Sequence, residues 1–110
     1  MKVEEKGHTI TIRDTQGNLD SFIEKVKNEH GTFKNHNLIL DISHHKDLTN
    51  DSIRRFEEVS NKHGKGKKSF VVVADGIDFN AVPNRLTVVP SLQEAHDIIE
   101  MEEIERDLGF

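Results

Sequence analysis

The 110-residue sequence contains no cysteine, no tryptophan and no tyrosine, and only two prolines. Without cysteine it can form no disulfide, no thiolate zinc site and no cysteine nucleophile. Its aromatic complement is six phenylalanines, which leaves no Tyr or Trp on which nucleic-acid bases could stack. A cationic excess is also missing: 15 Lys and Arg face 20 Asp and Glu, for a net charge of −5 and a pI near 5.8. That balance opposes a surface that tracks phosphates, so no nucleic-acid partner is expected. No apolar run approaches the roughly 18 to 20 residues of a membrane span, and MKVEEKGH lacks the basic-then-apolar order of a secretory signal. The expected compartment is therefore the cytoplasm, with no membrane partner.

What is present points to a folded domain. Hydrophobic residues make up 34% and the mean hydropathy is −0.62, with the apolar residues gathered in short blocks between charged stretches, as in globular chains. The length suits one domain. Val3, a turn at Lys6 and Gly7, and the alternation from Thr9 to Ile12 predict a hairpin. Leu19, Phe22, Ile23 and Val26 have the spacing of an amphipathic helix that Gly31 can close. The run NLILDIS (37–43) is too short for a helix and predicts a strand buried on both faces, with Asp41 near its carboxyl end. A second helix is expected from Thr49, stapled by Leu48 and Ile53, with Ile53, Phe56 and Val59 inward and Gly64 and Gly66 at its end. SFVVVA (69–74) is a further buried strand, DGIDFNAVPN (75–84) a loop, and 86–89 the last strand. SLQE (91–94) is a capping box that opens the final helix. The order ββαβαβ(loop)βα predicts an α/β fold with a mostly parallel sheet of four to five strands, an N-terminal hairpin, and helices packed on it.

Charge is uneven. Residues 91–110 carry seven acids and one arginine, a sum of −6, whereas the remaining ninety sum to +1. Lys62, Lys65, Lys67 and Lys68 with His63 form a local basic patch, as commonly flanks a buried strand. On a wheel of 100° per residue, Leu92, Ala95, Ile98 and Ile99 fall within roughly 120°, and Met101, Ile104 and Leu108 lie about 140° away. One straight helix cannot bury both sets in one core. Either the chain kinks near Glu100, or the second set with Phe110 forms an apolar stripe for a protein partner or a homodimer. The expected organisation is a domain over 1–100 and an acidic amphipathic tail over 101–110 that continues the last helix.

The element order, the segment DISHHKDLTNDSIRRF and the ending RLTVVPSLQEAHDII resemble the STAS domain of bacterial anti-sigma-factor antagonists, over nearly the whole chain. The resemblance implies regulation by partner switching without a cofactor. In those proteins the loop before the second helix resembles DSSG or DSTG, and phosphorylation of its second hydroxyl residue releases the partner. Counting without gaps from Asp41 and Ser43 puts Thr49, Asn50, Asp51 and Ser52 on that loop, with Asp51 at the phosphoacceptor position. Lacking a hydroxyl, Asp51 would act as a permanent charge of about −1 in place of a phosphoserine of nearly −2. The stretch VVPSLQEAHDIIEMEEIERDLGF is also similar to a small group of Bacteroidetes proteins, some of which carry the label ribonuclease Z. The HxHxDH cluster of those enzymes is missing, and 110 residues are too few for their fold.

These readings converge on a non-enzymatic domain that acts by protein–protein contact, with no catalytic residue, cofactor or metal expected. The candidate contact residues are Asp41, Ser43, Thr49, Asn50, Asp51 and Ser52, with Met101, Ile104, Leu108 and Phe110 as a second, tail interface. Two alternatives compete. A small metal-dependent hydrolase or nuclease would use His44, His45, Asp47 and Asp41, although no ligand spacing typical of zinc accompanies them and they read as solvated loop residues. A homo-oligomeric structural module would assemble through the tail.

Overall fold

A computed structural model describes residues 1–109; Phe110, assigned to the tail interface by sequence, lies outside the described residues. The chain is an α/β protein with a five-stranded mixed sheet. Strands β1 (Lys2–Lys6) and β2 (Thr9–Arg13) form the antiparallel hairpin, turning at Gly7, whose φ of 59° lies in the left-handed region open to glycine. Parallel strands β3 (Asn37–Asp41), β4 (Phe70–Val73) and β5 (Thr87–Val89) follow, so strand order equals chain order. Such an order has no reversal point, and therefore none of the crevices that form where neighbouring crossovers part to opposite faces.

Alternation along the strands feeds two separate cores. Ile10, Ile12, Leu38, Leu40, Phe70 and Val72 pack against α1 (Leu19–Phe33), α2 (Asn50–Arg54) and α3 (Glu57–Gly64). Ile39, Val71 and Val73 face the other way, onto Ala95 and Ile99 of α4 (Leu92–Asp107). Both faces of β3 and β4 are thus covered, which is why LIL (38–40) and FVVV (70–73) read as unbroken apolar runs.

Several boundaries differ from the sequence reading. Helix α1 runs through Gly31 to Phe33, because His30 and Phe33 continue its buried stripe. Residues 42 and 43 lie beyond β3, and Ser69, Ala74 and Leu86 lie outside the strands they were expected to join. The second helix is two segments. Ile53, Phe56 and Val59 are all buried as expected, but a strict spacing of three drifts around an α-helix. Bonds of i→i−3 type, Arg55 N–H to Ser52 O (3.3 Å) and Phe56 N–H to Ile53 O (3.0 Å), tighten the joint and bring them back to one face. No kink occurs near Glu100: α4 is continuous to Asp107.

Between α1 and α3 lies a polar relay that sequence did not reveal. His63 was expected on the basic surface patch, yet its side chain is 1% exposed. Its Nε2–H donates to the His36 carbonyl (2.7 Å), which leaves Nδ1 to accept from His30 Nε2–H (3.0 Å). The two rings meet edge to face. Burial pushes the His63 imidazole down to about 4, against the raising effect of the carbonyl bond and with help from His30 and Lys68. Burial, with Lys62 and Lys34 nearby, also lowers His30.

Candidate functional site

The loop residues singled out from sequence, Asp41 to Ser52, gather at the carboxyl end of the sheet, in two groups. The first surrounds Asp41, the last residue of β3 and 2% exposed. In the β2–β3 register Arg13 lies directly beside it, and the guanidinium reaches Asp41 Oδ2 through Nε and Nη2, both at 3.2 Å. Asp41 Oδ1 accepts from the Ser43 amide (3.0 Å) and hydroxyl (2.6 Å). Every oxygen of this buried carboxylate is therefore satisfied, and the residue closes the strand end.

One residue along, Asp14 is also buried. Its Oδ1 accepts from the Gln16 amide (3.1 Å), and its Oδ2 accepts from His45 Nε2–H (2.7 Å). His45 is thus tied down rather than solvated, whereas His44 is exposed. Because Ser43 gives its hydroxyl to Asp41, the serine, histidine and aspartate do not form a relay of the hydrolase type. Among the described residues no three His, Asp or Glu side chains converge in a way that could hold a metal ion.

The second group is the start of α2. Thr49 is its N-cap in extended conformation, its Oγ1 accepting from the Ser52 amide (3.2 Å) and lying 3.0 Å from the Ser52 hydroxyl. Leu48 and Ile53 join the same core cluster, as a hydrophobic staple requires. Asp51, exposed in the first turn, suits the positive end of the helix dipole. Asn50 does something sequence gave no sign of. Its Nδ2 donates to the Asp78 carbonyl (2.8 Å) and its Oδ1 accepts from the Asp78 amide (3.3 Å), so the side chain pairs with the backbone of the 75–84 loop as a strand would. That loop carries one 3₁₀ turn at Phe79–Ala81, capped by Asp78.

Beside α2 an open cleft of about 550 Å³ lies among Asn18, Asp20, His45, Lys46, Ser52 and Arg55. Arg55 pairs with Asp20 across it, joining α2 to the start of α1. Of the residues expected from sequence, Asp41 and Ser43 interact with each other, and Thr49, Asn50 and Ser52 surround the cap. Arg13, Asp14, His45 and Asp78 complete the arrangement. Their partners lie 28 to 31 residues away, beyond the reach of local patterns.

The tail is on neither of these surfaces. At its far end Arg106 turns inward, donating from Nη1 to Ser69 Oγ (3.1 Å) and from Nη2 to Asn37 Oδ1 (3.2 Å) at the amino ends of β4 and β3. Asn37 Oδ1 also accepts from the Ser69 amide (2.9 Å). These two donors fix the orientation of the amide and leave Asn37 Nδ2 buried without a partner among the described residues. Met101, Ile104 and Leu108 remain 61%, 55% and 66% exposed. No described helix is long and apolar enough to cross a membrane. No protein-family model matches the chain, and no curated protein matches it.

Proposed function

We propose that the chain is a non-enzymatic, STAS-like binding domain of the cytoplasm, and that it contacts a protein partner through the start of α2 and the adjoining 75–84 loop. The observation that carries this reading is the reciprocal pairing of Asn50 with the Asp78 backbone. It joins two loops from different crossovers into one surface, on which Thr49 and Asp51 are exposed. Asp51 there supplies a fixed negative charge, so association does not wait on a kinase. The mixed five-stranded sheet with its antiparallel edge and helices on both faces is compatible with a STAS-like architecture.

The test is quantitative affinity capture with immobilised wild type, Asp51→Lys, Asp51→Ser and the α4 double variant Met101→Ser/Ile104→Ser. One protein should be retained by wild type and by the α4 variant, weakened by Asp51→Ser and lost with Asp51→Lys. Equal retention by Asp51→Lys would refute the surface. Stoichiometric zinc or manganese, with RNA cleavage abolished by His44→Ala and His45→Ala, would replace the binding reading with the hydrolase one.

A further inference from the structure

Helix α4 covers the opposite face of the sheet from α1, α2 and α3, so its outer side is a surface separate from the one above. The composition of that side is one-sided. Along α4 the exposed residues are Gln93, Glu94, Asp97, Glu100, Met101, Ile104, Glu105 and Asp107, all acidic or apolar except Gln93. Leu108 extends the apolar row. The one cation of the helix, Arg106, is turned away and engaged with Asn37 and Ser69. Because that guanidinium fork and the packing of Ala95 and Ile99 hold α4 against the sheet, Met101, Ile104 and Leu108 cannot fold inward to escape water.

From this juxtaposition we infer that the outer face of α4 is a docking site for a basic amphipathic helix of another protein. Apolar side chains spaced three and four residues apart on such a helix would cover Met101, Ile104 and Leu108, while its Lys and Arg would meet the flanking carboxylates. A second copy of this chain is the poorer occupant. Pairing α4 with α4 would bring five exposed carboxylates against five, with no Lys or Arg among the exposed residues of either helix to offset them.

The probes are three labelled 18-residue peptides: one with Leu at helical spacing and Lys elsewhere, a scrambled peptide of identical composition, and an acidic counterpart with Glu for Lys. Binding is read by fluorescence anisotropy at several salt concentrations. The basic amphipathic peptide should bind, the scrambled one at least tenfold more weakly, and the acidic one not at all. Met101→Ser/Ile104→Ser leaves the net charge unchanged and removes only apolar surface, and it should weaken binding at least tenfold. Glu100→Gln/Glu105→Gln should weaken binding and flatten its salt dependence. These positions are exposed, so thermal unfolding of the variants should match wild type. The inference is overturned by absent binding, by a serine variant that binds as wild type does, or by a wild-type dimer in sedimentation that the serine variant dissociates.

Discussion

Acidification should weaken this domain through its buried imidazoles, His63 foremost. His63 sits at about 4 in the folded protein against 6.5 for an ordinary histidine. The folded state therefore resists a proton that the unfolded chain accepts, and unfolding takes up protons between those values. Stability is retained above pH 6.5, falls as the pH drops toward 4, and levels off below it. At about 1.4 kcal/mol per pH unit the full loss is about 3 kcal/mol, most of it reached by pH 4.5. Physically, a protonated His63 would place a charge beside Lys68 and turn the accepting Nδ1 into a second donor facing His30. His63→Gln removes the titration while keeping an amide donor for the His36 carbonyl and an acceptor for His30. Urea unfolding of both proteins at pH 7.0 and 4.5 isolates the effect, since carboxylate contributions are common to the two. Wild type should lose about 2 to 3 kcal/mol more than the variant over that interval. Parallel pH profiles, or a His63 ring resonance titrating near 6.5, would refute the reasoning.

Removing the fork in Arg106→Ala leaves the Ser69 hydroxyl and one lone pair of Asn37 without their donors, and should lower stability by about 1 to 2 kcal/mol in urea unfolding, with Arg106→Lys restoring only part. Truncation after Glu100 removes the same clasp and should cost a similar amount, yet leave a folded domain by circular dichroism because Ala95 and Ile99 still cover the sheet. Asn50→Ala should cost about 1 kcal/mol and speed hydrogen exchange of the Asp78 amide, which loses its acceptor. Thr49→Ala should destabilise by about 1 kcal/mol through loss of the cap, measured as a shift in the urea midpoint.

Local signals along the chain suffice for the order of elements. The alternation in β2, the short apolar runs of β3 and β4, and the SLQE capping box of α4 are signals whose period or chemistry is local. They also locate the Thr49 cap, because a staple and a hydroxyl acceptor need only neighbours along the chain. For α4 they stop at a choice between a kink and an outer stripe. That choice depends on whether something beyond the helix holds its last turn, and Arg106 does so through residues 37 and 69 positions away. The same limit explains the histidines. His30, His45 and His63 are ordinary polar residues in any local window, and only packing of α1 on α3, and of the 43–47 loop on the end of β2, takes them out of water and hands them partners. The packing of the strands and loops likewise makes Asp41 the buried partner of Arg13 and lets Asn50 bind a loop. A hydrogen bond depends on distance in space, and distances across this parallel sheet are set by crossovers that offset paired residues by 28, 32 and 16 positions, which periodicity cannot measure.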